Sequence, residues 1–268
     1  MDVVVDLQLE GKRAMVTGST AGIGFAAALR LAGEGACVII NGRTEARVEE
    51  AVRRVQNEVT GTRVSGVAAD LSSAEGVSAL TARVPELDIL VNNLGIFEPK
   101  PFEQITDDDW LRFFETNVLS GVRLTRHYLP QMKERDWGRV LFVSSASALN
   151  IPAEMIHYGM TKTAQLAVAR GVAETTVGTG VTVNSILPGP TSSEGVTTFV
   201  GQLAAERGVT EAEMEREFFR TARPSSLLQR FIKPEEVAHL IAFICSPLSS
   251  GTNGAALRVE GGVVRSIA

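Results

Sequence analysis

Tyr158, Lys162 and Ser145 have the residue types and the spacing that proton transfer requires. The tyrosine and the lysine lie four residues apart, and the serine lies thirteen residues before the tyrosine. On a helix, residues four apart project from one face, so the lysine ammonium can act on the phenol. A phenol with its ordinary pKa of ~10 needs a nearby cation to exchange protons at neutral pH. We therefore predict an acid–base site at Tyr158.

A glycine-rich segment near the N-terminus has the features of a phosphate-binding loop. Its sequence runs Gly-Ser-Thr-Ala-Gly-Ile-Gly over residues 18–24, between an apolar run at 14–17 and a helical pattern at 25–34. Such a turn lets backbone N–H groups approach a pyrophosphate at the positive end of the helix dipole. Glycines also punctuate ordinary turns, but the strand before the loop and the helix after it favour a dinucleotide site.

Strand-like and helix-like patterns alternate along the whole chain. Helical periodicity falls at 45–60, 74–84, 110–132, 161–177 and 234–246. Short apolar runs that predict seven strands occupy 14–17, 37–41, 63–68, 89–91, 139–143, 181–186 and 255–259. This rhythm predicts an α/β protein with a doubly wound, Rossmann-type parallel sheet of seven strands and helices on both faces. We expect one catalytic domain over residues 1–268.

The candidate residues follow strands that end near residues 92, 144 and 187. Open α/β sheets bind their ligands at the carboxyl ends of the strands, so these residues are expected to meet there. Residues 191–229 break the alternation with a long, partly charged segment. We predict a lid on the substrate side, with a helical excursion on the surface as the alternative.

Composition narrows the range of partners. The chain has 268 residues, a net charge of −5 and no basic clusters, which argues against nucleic acid or an anionic membrane. The first residues are acidic, and no apolar run approaches the ~18 residues of a membrane span, so a cytoplasmic location is expected. Cysteines and histidines form no ligand-like cluster, so no metal is predicted. A small molecule is the expected partner.

Several motifs together resemble the short-chain dehydrogenase/reductase family in its single-domain form, over nearly the whole chain. The motifs are the glycine loop 17–24, Asp70-Leu71, Asn92-Asn-Leu-Gly95, Asn117, the set of Ser145, Tyr158 and Lys162, the segment 184–189 and Glu260-Gly-Gly262. One departure is Leu94, which replaces the usual alanine and requires a smaller neighbour.

The resemblance implies hydride transfer between a nicotinamide and a carbonyl carbon. Tyr158 would deliver the proton, Ser145 would hold the carbonyl oxygen, and Lys162 would lower the tyrosine pKa and bind the nicotinamide ribose. Asn117 would hold a water that passes protons toward Lys162. Ser145 could instead simply cap a strand end, as could Ser144 or Ser147.

The resemblance also implies which residues bind the cofactor. Those expected to do so are Gly18, Ser19, Thr20, Gly22, Ile23, Gly24, Arg43, Asp70, Leu71, Asn93, Gly95, Tyr158, Lys162, Pro188, Gly189 and Thr191. An acidic residue after the second strand would bind the ribose of NAD(H), but here Gly42 and Arg43 stand at that position. Arg43 can pair with a 2′-phosphate, so NADP(H) is the expected cofactor. NAD(H) stays possible because Ala21 is not basic and Glu45 lies nearby.

The expected substrate is a small ketone or a secondary alcohol, with reduction of a 3-oxoacyl group as one activity frequent in the family. Candidate substrate contacts are Phe97, Ser147, Met155 and Pro190, although core packing explains such apolar residues equally well. A dinucleotide-binding regulator or scaffold without catalysis is the alternative of another class. The family also implies a homotetramer, formed through the predicted helices 110–132 and 161–177.

Overall fold

The computed structural model describes residues 5–267, apart from the side chains of residues 195, 198–200, 202 and 203. Its centre is a parallel sheet of seven strands in the order 3-2-1-4-5-6-7. The strands are β1 (Arg13–Val16), β2 (Cys37–Gly42), β3 (Val64–Ala68), β4 (Ile89–Asn92), β5 (Gly138–Val143), β6 (Val181–Pro188) and β7 (Ala256–Val259). The predicted Rossmann-type sheet is confirmed. The order reverses between β1 and β4, which opens a crevice at the carboxyl ends of the strands.

Helices cover both faces of the sheet, as the alternating pattern predicts. They are α1 (Gly22–Gly33), α2 (Glu45–Glu58), α3 (Ala74–Arg83), α4 (Asp107–Phe114), α5 (Ser120–Glu134), α6 (Ile156–Glu174), α7 (Glu194–Arg207), α8 (Glu211–Thr221) and α9 (Pro234–Cys245). The core on one face includes buried residues of α1, α2 and α9, and the core on the other includes residues of α3, α5 and α6.

Single strands supply both cores because successive side chains point to opposite faces. In β1, Ala14 and Val16 lie in the first core, while Met15 lies in the second. The residues of β5 alternate in the same way. Strands that are buried on both sides therefore read as continuous apolar runs, which is why their positions can be predicted from sequence within one or two residues.

The predicted helix 110–132 contains a break that its periodicity does not show. The structure has α4, then a π-helical segment at Glu115–Leu119, then α5. Asn117 lies in the middle of the π-helical segment. Such segments are rare and frequently occur at functional sites, because the wider turn changes the direction of main-chain groups.

The predicted helix 161–177 begins earlier in the structure, at Ile156, so α6 carries both Tyr158 and Lys162. Gly159 allows this start, because a Cβ at that position would lie 2.6 Å from the Ile151 side chain. Any larger residue would push the first turn of α6 away from the loop before it. The two candidate residues therefore share one rigid helix, four residues apart.

Residues 191–229 form two helices, α7 and α8, and a connection to α9. The start of α8 is fixed by a capping box, in which Thr210 and Glu213 exchange side-chain to main-chain hydrogen bonds. Within residues 5–267, no helix is both long enough and apolar enough to cross a bilayer.

Candidate active site

A cavity of about 1010 Å³ lies at the carboxyl ends of the central strands. Its walls come from the glycine loop, from the segments after β4, β5 and β6, and from α7 and α8. Fifteen of the residues singled out in the sequence line it: Gly22, Ile23, Gly24, Asn93, Gly95, Phe97, Ser145, Ser147, Met155, Tyr158, Lys162, Pro188, Gly189, Pro190 and Thr191. The cavity therefore joins the predicted chemistry, the phosphate loop and the predicted substrate contacts in one space.

Ser145 and Tyr158 lie next to each other in the wall of this cavity. The Ser145 side chain lies close enough to the phenol to act to lower its pKa, whereas burial raises that pKa more strongly. The Ser145 hydroxyl also accepts a hydrogen bond from the Ser147 main-chain N–H at 3.0 Å. Ser145 thus caps a turn and also lies beside the tyrosine, so its capping role does not exclude the predicted contact with a carbonyl oxygen. Ser144 instead points inward and donates to the Lys162 carbonyl at 2.8 Å.

Lys162 lies beneath the tyrosine and is almost wholly buried, with 4% of its surface exposed. Its Nζ donates to the Val143 carbonyl at 3.0 Å and to Gln165 Oε1 at 3.2 Å. The same atom lies 5.6 Å from the centre of the Tyr158 ring. Burial lowers the pKa of Lys162 to about 7, because a desolvated ammonium is disfavoured.

Burial raises the pKa of Tyr158 and Ser145 lowers it, so the expected lowering by Lys162 stays a prediction. Burial drives both groups toward their neutral forms, which raises the pKa of the phenol and lowers that of the ammonium. The lysine must be held in its charged form before it can influence the phenol. The groups that accept its hydrogen bonds therefore matter as much as its position.

Asn117 is fully buried and contributes no surface to the cavity. Its side-chain Oδ1 accepts a hydrogen bond from the Ile96 N–H at 2.8 Å, and its Nδ2 donates to the Ile96 carbonyl and to Thr161 Oγ1, each at 3.0 Å. The asparagine side chain thereby ties the loop after β4 to helix α6. What Asn117 offers toward Lys162 is its main-chain carbonyl, to which Gln165 Nε2 donates at 2.6 Å.

The glycine loop has the shape that a pyrophosphate requires. Gly18 and Gly22 have φ values of 60° and 56°, in the left-handed region that other residues rarely adopt. Helix α1 begins after Ala21 without a side-chain cap, so the N–H groups of its first turn are directed to the cavity. A Cβ on Gly18 would lie 3.2 Å from Leu94 Cα, so this glycine is the small neighbour that Leu94 requires.

Asn41, at the end of β2, holds this loop in place and was not identified from the sequence. Its side chain accepts from the Gly18 N–H at 3.3 Å and donates to the Val67 carbonyl at 3.1 Å. Its main-chain carbonyl accepts from the Ser19 N–H at 2.9 Å, while the Ser19 hydroxyl donates to the Val16 carbonyl at 2.6 Å. Both polar groups of Ser19 are thus used inside the protein, so Ser19 shapes the loop and has no free donor for a ligand.

The residues assigned to the adenine end lie outside this cavity, next to the ends of β2 and β3. Arg43 is exposed, and Thr20 contacts the neighbouring Gly42. Asp70 is exposed and accepts hydrogen bonds from the Ser72 N–H and hydroxyl. Leu71 is 1% exposed and its side chain packs in the core. An adenine contact from this residue could therefore come only from its main chain.

The outer wall of the cavity contains Arg223, a residue for which the sequence predicts no role. Arg223, just after α8, forms an ion pair with Glu154 at 3.2 Å and lies over the Phe218 ring. This pair links the segment after α8 to the turn that precedes the Tyr158 helix. By contrast, Leu149 and Ile151, in the loop before this turn, are exposed and do not line the cavity. Only the fold brings residue 223 next to residue 154.

Comparison with known proteins identifies the family. A family model described as short chain dehydrogenase matches residues 12–202. The chain belongs to the short-chain dehydrogenases. The uncharacterized oxidoreductase YvaG of Bacillus subtilis is 51% identical to it over 261 residues, which cover 97% of this chain and 99% of that protein. A D-beta-hydroxybutyrate dehydrogenase of Cupriavidus necator is 33% identical over 260 residues, with 96% and 99% covered.

Solved structures agree with this assignment. L-sorbose reductase from Gluconobacter frateurii, crystallised with NADPH and L-sorbose, matches this short-chain dehydrogenase with a TM-score of 0.93 and 30% sequence identity. The match covers 98% of this chain and 100% of that one. The chain is therefore an NAD(P)-dependent oxidoreductase, and the alternative of a scaffold without catalysis is set aside.

Gly24→Ala tests the loop of this short-chain dehydrogenase. A Cβ at residue 24 would lie 2.5 Å from both the Gly18 carbonyl oxygen and Asn93 Nδ2, so the loop must shift. We expect nicotinamide dinucleotide to bind at least about tenfold more weakly, as for the loss of one hydrogen bond to a charged group. Cofactor fluorescence titration measures this. Gly33→Ala, at the open end of the same helix, is the matched control, and equal affinity of the two variants would contradict the prediction.

Proposed function

We propose that the protein transfers a hydride between NADP(H) and a small ketone or secondary alcohol by means of Ser145, Tyr158, Lys162 and Asn117. The observation that carries this proposal is the proximity of Ser145 and Tyr158 in the cavity wall, with Lys162 buried directly beneath the phenol. Two neighbouring hydroxyl groups can bind one carbonyl oxygen, and a phenol that also contacts a cation can exchange a proton with it.

The protein residues have separate roles in the proposed reduction. Bound cofactor would supply the hydride to the carbonyl carbon. Ser145 donates a hydrogen bond to the carbonyl oxygen and holds it beside Tyr158. The phenol gives its proton to the same oxygen as negative charge develops there, and Lys162 stabilises the phenolate that is left. In alcohol oxidation the phenolate takes the proton instead.

The proposed cofactor site includes the start of α1, which has no side-chain cap. Its first-turn N–H groups and the positive end of the helix dipole would hold the pyrophosphate. Lys162 has a third N–H donor besides those directed to Val143 and Gln165, and this donor is available for the nicotinamide ribose. The segment Pro188–Thr191 lines the same cavity and would face the nicotinamide end.

Replacing Tyr158 with phenylalanine tests the chemistry. The change removes one hydroxyl from a helix that keeps its packing, so turnover should fall by at least about 100-fold while cofactor affinity changes little. Steady-state kinetics and cofactor titration measure the two quantities. Tyr128→Phe is the matched control. It removes the hydroxyl of the other tyrosine, which donates to the Val84 carbonyl at 2.7 Å inside the core, so stability should fall while turnover is kept.

A second variant separates the two roles of Lys162. Lys162→Met should reduce turnover as strongly as Tyr158→Phe, and it should also weaken cofactor binding, because the proposed ribose contact is lost.

The proposal for Tyr158 is wrong if its phenylalanine variant keeps more than about a tenth of wild-type turnover with chemistry rate-limiting, since a positioned acid contributes at least about 100-fold.

The proposed substrate is a small carbonyl compound with both an apolar and a polar part. Phe97, Met155 and Pro190 supply apolar wall, and the ion pair of Glu154 and Arg223 supplies polar wall. Reduction of 3-oxoacyl groups is one candidate, since a 3-oxoacyl-[acyl-carrier-protein] reductase of Aquifex aeolicus is 31% identical to this chain. A screen of ketones and alcohols that follows cofactor absorbance would identify the substrate.

We propose NADP(H) rather than NAD(H) as the preferred cofactor, because Arg43 follows β2 where an acidic residue would select NAD(H). A guanidinium bonded to a 2′-phosphate contributes about 1.5–3 kcal/mol. We therefore expect kcat/KM to be at least about tenfold higher with NADP(H). Arg43→Ala should abolish most of the difference, whereas Arg53→Ala, an exposed arginine on α2, should not. A tenfold preference of the wild type for NAD(H) would refute this choice.

We also propose a homotetramer with contacts through α4, α5 and α6. Leu111 on α4 is 63% exposed, and Phe114, Leu119 and Leu166 are only partly buried, so these helices present apolar surface to solvent. Isologous contacts between such faces close into dimers and tetramers. Light scattering at micromolar concentration should give the mass of a tetramer. A monomer mass would contradict the proposal.

A further inference from the structure

Gln165 lies directly behind the catalytic pair and has no role in the proposed mechanism so far. It is on α6, three residues after Lys162, and only 1% of its surface is exposed. Its Oε1 accepts a hydrogen bond from Lys162 Nζ at 3.2 Å, and its Nε2 donates to the Asn117 main-chain carbonyl at 2.6 Å. One side chain therefore bridges the buried ammonium and the π-helical segment.

A packing role alone does not require an amide at this position. Burying an amide is unfavourable unless its polar atoms find partners, whereas methionine or leucine fills a similar volume without that penalty. Both polar ends of Gln165 have a partner, and one partner is a charged group. Hydrogen bonds to charged groups are about twice as strong as those between neutral groups. The amide is thus matched to the lysine rather than to the core.

We propose that Gln165 is a positioning residue, whose amide occupies the place between Asn117 and Lys162 that the family resemblance assigns to a water, and holds Lys162 as an oriented ammonium beneath Tyr158. The inference rests on the proposed function, because it assigns Gln165 a part in keeping that site ready for proton transfer.

The orientation of the amide follows from its donor bond. Because the Asn117 carbonyl can only accept, it must face the NH₂ group of Gln165, which leaves the amide oxygen for Lys162. A water in this place could turn either way and exchange with solvent, but the amide cannot turn without losing both contacts. Since an amide neither gains nor loses a proton at neutral pH, Gln165 fixes the lysine without passing a proton to Asn117.

The groups that accept hydrogen bonds from the Lys162 ammonium are neutral. Burial is the cause of the lowered Lys162 pKa, and within residues 5–267 no carboxylate and no second cation contributes to it from α6 or from the elements packed against that helix. The titratable group that contacts Lys162 is Tyr158 on the same helix. The ammonium is therefore stabilised by the carbonyl of Val143 on β5 and by the amide of Gln165. Removing either acceptor makes the charged form less favourable.

Gln165→Met tests the bridge, because methionine is similarly long and unbranched but cannot accept the lysine hydrogen bond. The first measurement is the pKa of Lys162 itself, by NMR of full-length protein with a ¹³C label at the lysine ε-carbon. The chain has five lysines, and the spectrum of Lys162→Met identifies the signal. We expect the pKa of Lys162 to be about one unit lower than in the wild type, because one hydrogen bond to the charged form is lost.

The second measurement is the pH profile of kcat/KM for alcohol oxidation. With less positive charge beneath the phenol, the limb that reports deprotonation of Tyr158 should move to higher pH in Gln165→Met. Thr163→Val is the matched control. It removes the hydroxyl that donates to the Ala148 and Gly159 carbonyls from the same helix, and it should move neither the Lys162 signal nor the profile.

Two different results would contradict the proposal. A Lys162 pKa that stays at its wild-type value in Gln165→Met overturns the bridge, and a fallen pKa with an unmoved pH profile overturns its part in the reaction. If Gln165→Met does not fold, Gln165→Leu removes the same amide and is judged by the same two readouts. The NMR titration needs no turnover, so it remains valid even if Tyr158→Phe stays active and the proposed function fails.

Discussion

Burial of a lysine beneath a tyrosine is the constraint on which the candidate site depends. Desolvation lowers the pKa of Lys162 to about 7 and raises that of Tyr158, so the two groups left to themselves would both be neutral. A neutral lysine cannot stabilise a phenolate. The neighbouring elements correct this by directing main-chain and amide oxygens at Nζ, which favours the ammonium without introducing an opposing carboxylate. A carboxylate there would hold the lysine charged but would repel the phenolate.

Three local irregularities bring those oxygens into place. Helix α6 begins at Ile156 because Gly159 lets its first turn pack closely against Ile151. The π-helical segment turns the carbonyl of Asn117 toward α6, where it orients the Gln165 amide. The end of β5 presents the carbonyl of Val143. The regular sheet thus sets the positions of the elements, while their irregular ends set the direction of each polar group.

The strands and the candidate catalytic residues can be predicted from the sequence, whereas the π-helical segment and the partner of Gln165 cannot. The strands were placed closely, because strands buried on both faces have apolar runs with clear ends. Tyr158, Lys162 and Ser145 were singled out because the first two are four residues apart on one helix. The π-helical segment left no signal, since apolar periodicity continues through it. Gln165 could have been noticed as a polar residue three positions after Lys162, on the same face, but its partner on another helix depends on the fold.

The two sides of the cavity are built differently, and this affects what each can recognise. On the proposed cofactor side, main-chain groups and buried side chains such as Asn41 hold the loop by hydrogen bonds, which suits a ligand whose shape does not vary. On the proposed substrate side, the wall consists of side chains such as Phe97 and the ion pair of Glu154 and Arg223, and Arg223 directly follows α8. Under the proposed function, we therefore expect substitutions in residues 191–229 to change the substrate while the proposed chemistry of Tyr158 and Lys162 stays the same.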